Sequence, residues 1–295
     1  MKKYVLCFGE VLWDTFADGK KAGGAPMNVA RHLVQQKIDV SFVSRIGNDD
    51  SGKKLNDFLK KSGLHGKHIQ HDEQLPTCEV TVQLDETNQA TYIIPKPVSW
   101  DNIKLENGLK KHARKAAAIV FGSLICRSKV SCDTLRALLD VSSGLKVFDV
   151  NLRAPHYDKD TIETLVAKAN VVKMNEEEAT LLIGGKPDKL KENIIEFQRK
   201  YHTKTICVTR GDKGAIVWQD KKFYEHPGFK VAVEDTVGAG DAFLATMVKG
   251  LLREKPMNEV LERACAVGAF VTSRRGANPE YDKESIRAIR REVAV

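Results

Sequence analysis

Long hydrophobic runs are missing from this 295-residue chain: Lys, Arg, Asp or Glu interrupts every extended apolar stretch. None approaches the roughly 18 uninterrupted apolar residues of a membrane helix, so no membrane partner is expected. A CxxC pair is missing too. The six cysteines, at positions 7, 78, 126, 132, 207 and 265, are scattered, which argues against a disulfide scaffold and a zinc ribbon. The start Met1-Lys2-Lys3-Tyr4 leads into only a short apolar run before Gly9-Glu10, which argues against a secretory signal. The expectation is a soluble, reduced, cytoplasmic protein. Repeats, low-complexity linkers and a clear internal boundary are also lacking. A length that allows roughly two domains of about 150 residues is therefore read as one domain over 1–295.

A long basic arm is absent as well. The 47 basic and 39 acidic residues leave a net charge of +8. The basic residues fall in small groups, such as Lys53-Lys54, Lys60-Lys61, Lys110-Lys111 and Arg274-Arg275, and no RNA-binding aromatic motif accompanies them. A modest positive field suits a small phosphate-bearing anion as well as a nucleic acid. Composition leaves both open.

What the chain does contain is an alternating rhythm. Tyr4 to Phe8, Val40 to Val43, Ala118 to Phe121, Lys146 to Val150, Val171 to Met174 and Thr205 to Thr209 are short apolar runs that read as strands. Helical patterns lie between most of them, over Asn28 to Gln35, Gly52 to Lys61, Ser131 to Val141, Thr161 to Ala169 and Asp188 to Tyr201. Strands alternating with helices predict a parallel sheet covered on both faces, an α/β fold. Two places break the rhythm. Cys78 to Leu84 and Ala90 to Ile94 alternate as a hairpin around Asp85-Glu86-Thr87-Asn88. With Val11 to Phe16 they predict a small β lid, drawn from about 11–17 and 77–98, whose closure would exclude water. Gly214 to Trp218 and Lys222 to Glu225 predict a second hairpin at the sheet edge. Gly238 to Leu252 and Asn258 to Ser273 then read as two long helices.

One phosphate-loop candidate fails on chemistry. Gly47-Asn-Asp-Asp-Ser-Gly52-Lys53-Lys54 fits GxxxxGK, but Lys54 stands where a hydroxyl should hold magnesium and Asp49-Asp50 would face the phosphates. The segment is expected to cap a helix at its positive end.

Two glycine segments are better suited. Glu234-Asp-Thr-Val-Gly-Ala-Gly-Asp-Ala-Phe243 enters a helix, so the amides of Gly238, Ala239 and Gly240 can point at a phosphoryl group. Asp241 follows, placed to accept a proton from a hydroxyl, and the helix dipole is expected to keep it ionised and weakly basic. Taken alone, it could equally be an ordinary acidic first-turn residue. Gly23-Gly-Ala-Pro-Met-Asn-Val-Ala30 also opens a helix, with proline in the first turn. Asn28 can donate and accept toward sugar hydroxyls, Gly24 allows close main-chain approach, and Asp14 is a natural acceptor for a diol. A tight turn with a surface Asp reads equally well.

Together GGAPMNVA and DTVGAGDAF, in this order and roughly 210 residues apart, resemble the two signatures of the ribokinase-like carbohydrate kinases, the PfkB family. The similarity runs from about Tyr4 to Pro279. CFGEVLWD, SRIGNDDSG, PVSWDNI and DVNLR are most similar to fructokinases within it. The resemblance implies a doubly wound three-layer α/β core with a mostly parallel sheet and a small β lid. It also implies ATP-dependent phosphorylation of a sugar, fructose first, with ribose, a keto-deoxy sugar acid or a nucleoside as alternatives, and a non-catalytic sugar-binding relative of the same fold as the rival from another class. Small-molecule partners are thus expected, not nucleic acid, and a lid hairpin could pair across a homodimer.

Residue by residue, the resemblance makes Asp241 the base, Gly238, Ala239 and Gly240 the anion hole, and Asp14, Gly24 and Asn28 sugar contacts. Arg153 would neutralise the transferred phosphoryl group. Asn175 and Glu178 match an NxxE element that organises Mg²⁺ through water, although the pair also has the form of a capping box. Thr209 and Gly211 belong to a nucleotide-phosphate turn, with Gly238, Gly240 and Asn278 completing the ATP site. Asp235 with carbonyls around Val237, Val271, Arg274 and Gly276 are candidates for K⁺. Two positions depart from the family pattern. Cys78 stands where fructokinases usually have Gly, and Asn278-Pro279-Glu280 replaces a small residue plus Pro-Ser. His65, His68 and His71 lack a compact zinc ligand set.

Overall fold

The computed structural model describes residues 4–16, 19–64, 66–84, 90–184 and 189–291. The strands are β1 (Val5–Phe8), β2 (Leu12–Phe16), β3 (Gly19–Gly23), β4 (Val40–Gly47), β5 (Ile69–Asp72), β6 (Glu79–Leu84), β7 (Ala90–Ile93), β8 (Ala118–Gly122), β9 (Leu145–Asp149), β10 (Val171–Asn175), β11 (Thr205–Thr209), β12 (Ala215–Gln219) and β13 (Lys222–His226). The helices are α1 (Ala25–Gln35), α2 (Asp50–Lys61), α3 (Leu109–Lys115), α4 (Lys129–Val141), α5 (Lys159–Lys168), α6 (Glu176–Ile183), α7 (Leu190–Tyr201), α8 (Ala239–Leu252), α9 (Met257–Thr272) and α10 (Lys283–Arg291). The turn 85–88, His65, residue 17 of the expected lid and the expected helix start at 188 lie outside the described residues.

A nine-stranded sheet runs in the order β13-β12-β11-β10-β9-β8-β1-β4-β5. Pairing is parallel from β5 through β11, and β12 and β13 turn antiparallel at the edge. Every residue of β1 and β8 is buried, as a parallel strand covered on both faces requires. Alternation assigns the faces. Leu6 and Phe8 of β1 join Ile119, Phe121, Leu135, Leu138, Leu165 and Phe197 in one core under α3 to α7. Val5 and Cys7 face Met27, Leu33, Leu55, Leu244, Val248 and Leu261, under α1, α2, α8 and α9. This is the expected doubly wound three-layer arrangement.

The second sheet has the order β3-β2-β6-β7. The β6 and β7 hairpin is antiparallel as expected, but β2 joins β6 in parallel register, and β3, unforeseen in the sequence, pairs along the other edge of β2. Its sequence, Gly-Lys-Lys-Ala-Gly, lacks strand-forming residues, and pairing with β2 supplies its order. Asp49 caps α2 as the failed phosphate loop implied: its Oδ1 accepts from Gly52 N at 2.7 Å. It also ties α2 to the segment leading into β6, since Oδ2 accepts from Thr77 N at 2.8 Å.

The expectation of uniformly reduced thiols is corrected at one pair. Cys126 and Cys132 form a disulfide, because a short 3-10 turn (124–127) and the first turn of α4 bring their Cα atoms within 4.3 Å. Cys7, Cys78, Cys207 and Cys265 are free and buried. Among the described residues no helix is long and apolar enough to cross a membrane.

Candidate active site

Strand order reverses at β1, with β4 on one side and β8 on the other. Such a switch point opens a crevice beyond the carboxyl ends of the strands. A cavity of about 350 Å³ lies there. Its walls are the strand exits themselves: Glu10 after β1, Leu124 after β8, Asn151 and Arg153 after β9, Asn175 at the end of β10 and Thr209 at the end of β11. The helix starts close it, α1 contributing Gly24, Ala25 and Asn28, and α8 contributing Gly238, Gly240 and Asp241. Asp14, Val80 and Ile94 line it from the small sheet and its margins.

The start of α8 has the backbone geometry that could hold an anion. Gly238, the N-cap, has φ 79°, and a Cβ there would sit 2.5 Å from Ala277 Cα. Only glycine fits both constraints. The first helical hydrogen bond runs from Ala242 N to the Gly238 carbonyl at 2.9 Å, so the preceding amides are not bonded within the helix. Ala239 N is turned back toward Thr236 O at 3.4 Å. Gly238 and Gly240 line the cavity while Ala239 does not, so of the three residues expected to form an anion hole two stand at the cavity.

Asp241 occupies the first turn. Asn28 Nδ2 donates to its Oδ2 at 2.9 Å, and Asn278 Nδ2 donates to Asn28 Oδ1 at 2.6 Å. Burial pushes the Asp241 carboxyl up to about 7, with the Asp149 charge adding to the rise and Asn28, Lys173 and Arg153 opposing it. The expectation that the helix dipole would keep this group a weak base is corrected: desolvation outweighs the dipole. A carboxyl raised in this way could take a proton near neutral pH.

Lys173, which the sequence reading passed over, sits in β10 and lines the cavity. It is 7% exposed, its Nζ is 2.9 Å from Asp149 Oδ1, and a Cβ on Gly240 would lie 3.2 Å from that Nζ. Burial works against its charge, but Asp149, Glu178 and Asp241 outweigh it and hold the ammonium protonated. The signal was a lysine inside the apolar run Val171-Val172-Lys173-Met174. Such a side chain is rarely buried unless paired. Asp149 and Glu10 were likewise missed, each a carboxylate at the exit of a buried strand.

The sugar-side candidates converge. Gly24 has φ 108°, and a Cβ would meet Glu10 O at 2.5 Å, so the α1 loop lies directly on the β1 exit. Asp14 faces the same space, and burial lifts its carboxyl to about 6 against the pull of Arg153.

Asn175 and Glu178 form a closed capping box. Glu178 N donates to Asn175 Oδ1 at 2.8 Å, Asn175 N donates to Glu178 Oε2 at 2.9 Å, and Leu152 N donates to Glu178 Oε1 at 2.7 Å. Asp149 Oδ2 beside them is buried without a hydrogen-bond partner among the described residues. Asp235 accepts from Val237 N at 3.0 Å and from Gly276 N at 2.9 Å, joining two loops near the α8 start. Gly211 opens an exposed turn beyond Thr209, and Val271 and Arg274 lie at the end of α9; none of the three lines the cavity. His68 packs against His112 with the rings tilted and their centroids 4.4 Å apart. No group of three or more His, Cys, Asp or Glu suited to a metal occurs among the described residues.

The sequence profile of pfkB family carbohydrate kinases matches residues 3–284. Fructokinase-1 of Zea mays is 27% identical over 96% of this chain and 96% of its own. The fructokinase of Vibrio cholerae, solved with fructose, ADP and calcium, superposes with a TM-score of 0.84 at 26% identity, covering 97% of this chain and 98% of its own. A double mutant of that protein was solved with fructose, ADP and potassium. The fructokinase of Xylella fastidiosa with bound ATP shares the fold at a TM-score of 0.87 and 23% identity, over 100% of both chains.

Proposed function

Because the chain belongs to the pfkB family of carbohydrate kinases, we propose that its cavity transfers the γ-phosphoryl group of ATP to a sugar hydroxyl, the favoured sugar being fructose at its terminal carbon. The observation that carries this reading is Asp241, held by Asn28 in the first turn of α8 beside glycine amides and backed by the buried Lys173. Phosphoryl transfer asks little covalent chemistry of the protein and much positioning and charge stabilisation. Asp241 orients the sugar hydroxyl and takes its proton. The Gly238 and Gly240 amides, Arg153 and Lys173 stabilise the charge on the phosphoryl oxygens in line with it. Val80 and Ile94 from the small sheet close over the sugar and exclude water, and the chain acts as one kinase domain carrying that lid.

Fructose rests on the relatives, since the Zea mays and Vibrio cholerae proteins carry that name. The residues present fit a divalent ion held mainly by phosphate and water: Asp149 Oδ2 is buried and unpartnered, and Asn175 and Glu178 adjoin it. Mg²⁺ there would neutralise phosphate charge. Asp235 with the Gly276 loop fits a K⁺ site beside the anion hole. Its carboxylate already gathers the two loops, and the Vibrio cholerae double mutant was solved with potassium.

The test is ADP release over a panel of sugars, with and without K⁺, beside Asp241→Asn. The wild type should phosphorylate fructose with the highest kcat/KM. No sugar-dependent ADP release, or a substitution that leaves turnover within about tenfold, roughly 1.4 kcal/mol of barrier, would refute the kinase reading. A better sugar would refute fructose alone.

A further inference from the structure

Helix α1 has a polar face of which the mechanism above uses only the first member. Asn28 and His32 in α1 and Gln36 at its C-cap recur every four residues, so they lie one above another, and all three are buried. Asn28 donates to Asp241 and Gln36 Nε2 donates to Thr246 Oγ1 at 2.8 Å, so this face looks onto α8. His32, the middle member, is 0% exposed and does not line the cavity. It reaches the segment that follows α9. Its Nε2 lies 2.9 Å from the Ala277 carbonyl and its Nδ1 lies 3.1 Å from the Tyr281 hydroxyl. A carbonyl can only accept, so Nε2 carries the hydrogen. Burial pushes the imidazole down to about 4, which leaves it uncharged at neutral pH with Nδ1 accepting from Tyr281. Gln36 Nε2 also donates to the Tyr281 hydroxyl at 3.2 Å, and the His32 and Tyr281 rings stack with centroids 5.7 Å apart.

The segment that His32 holds is the one on which the start of α8 rests. A Cβ on Gly238 would lie 2.5 Å from Ala277 Cα. The next residue, Asn278, donates to Asn28 Oδ1, and Asn28 Nδ2 donates to Asp241. We propose that His32 is a positioning residue for the transfer: by donating to the Ala277 carbonyl it fixes the 277–278 backbone, and with it the chain Asn278–Asn28–Asp241, without touching either substrate. This rests on the kinase reading of the cavity. Asn28 and His32 are one turn apart, about 6 Å along the helix, and bind adjacent residues of the facing segment. One hydrogen bond alone would let that segment pivot, and the second removes the rotation. Asn28 has a single amide plane, so holding its oxygen on Asn278 turns its nitrogen toward Asp241. A shift of about 1 Å in a reacting group costs on the order of 10²-fold in rate even when its cause lies away from the chemistry.

Three replacements of His32 differ in reach. Glutamine carries an amide nitrogen to the place of Nε2, asparagine only to the place of Nδ1, and leucine fills the space without a donor. Thermal melts identify the folded variants, and if His32→Leu does not fold, His32→Asn against His32→Gln makes the comparison. Steady-state ADP release and backbone hydrogen exchange are measured on the full chain. His32→Asn and His32→Leu should lower kcat by about tenfold to 10²-fold while the KM values for sugar and ATP stay within about twofold. Their amide exchange should speed up in 236–242 and 274–281. His32→Gln should bring kcat back to within about threefold of the wild type and restore slow exchange. A packing role alone would lower the melting temperature and leave the kcat of the folded enzyme unchanged. The proposal is overturned if kcat in folded His32→Asn stays within about threefold, if His32→Gln is as slow as His32→Asn, or if KM rises while kcat holds. A wild type that releases no ADP with any sugar overturns the kinase reading instead, and exchange then decides His32. Faster exchange confined to those two segments in His32→Asn, but not in His32→Gln, upholds its hold on the start of α8, and wild-type rates in both overturn it.

Discussion

Replacing Lys173 by Met separates the two tasks of the buried ammonium. Its Nζ lies 2.9 Å from Asp149 Oδ1, and both residues are under 10% exposed. Removing one partner of a buried ion pair leaves an uncompensated charge and costs about 3–5 kcal/mol of stability. The same ammonium stands beside Gly240 at the cavity, where the proposed transfer would place the phosphoryl group. Loss of one preorganised donor at such a site lowers kcat about 10²- to 10³-fold, or about 2.7–4 kcal/mol. Because Lys173 also restrains the rise of the Asp241 carboxyl, the acid limb of the rate profile should move to higher pH. Chemical denaturation and steady-state ADP release measure the two effects. The double variant Lys173→Met with Asp149→Leu removes both charges, so stability should largely return while kcat stays low. The reasoning is refuted if the single variant keeps kcat within about tenfold, or if activity returns together with stability in the double variant.

The Asp241 carboxyl, pushed up to about 7, must be ionised to accept a proton, so kcat/KM should rise with pH through about 7 and then level off; a limb centred near pH 4 would contradict this. A carboxyl raised in the folded state contributes stability below its unfolded value of about 3.9 and loses it as pH rises through about 7. Asp241→Asn should therefore melt above the wild type at pH 8, with the gap closing toward pH 5. Asn278→Ala removes the 2.6 Å donor that orients Asn28, and kcat should fall about tenfold with the fructose KM nearly unchanged. Gly238→Ala forces φ 79° on a side chain that meets Ala277. It should cost about 1–2 kcal/mol from the backbone alone, with a further loss of kcat, measured by melts and ADP release.

The layers and the parallel sheet were legible because fully buried strands are unbroken apolar runs and their helices keep a clear stripe. The place of Gly238 and Asp241 at the start of a helix was legible because a glycine run ahead of an apolar stripe marks a helix N-terminus. Strand β3 was not, since Gly-Lys-Lys-Ala-Gly has no strand propensity and owes its order to pairing with β2. Short edge strand β5, Ile-Gln-His-Asp, hid for the same reason. Lys173 and Glu10 gave a local signal, a charge inside or just beyond an apolar strand, but not its meaning. That meaning arises only when Asp149, Asp241 and Arg153 gather around them from distant segments. The Asn278 to Asn28 bond spans 250 residues, and no local pattern in either segment encodes it.

The proposed transfer rests on a balance of charge within one cavity. The start of α8 brings the Gly238 and Gly240 residues to it, and Lys173 and Arg153 line it as cations. Burial lifts the carboxyls of Glu10, Asp14 and Asp241, so much of their negative charge is withdrawn near neutral pH. Arg153 acts on all three carboxyls, and a phosphoryl group brought to it would compete for that attraction. On the proposed reading, the amides of a helix start and the two cations would match a polyphosphate, while Asp241, held by Asn28, would take the proton of the hydroxyl. The overall +8 of the chain would draw in an anionic partner without deciding its place.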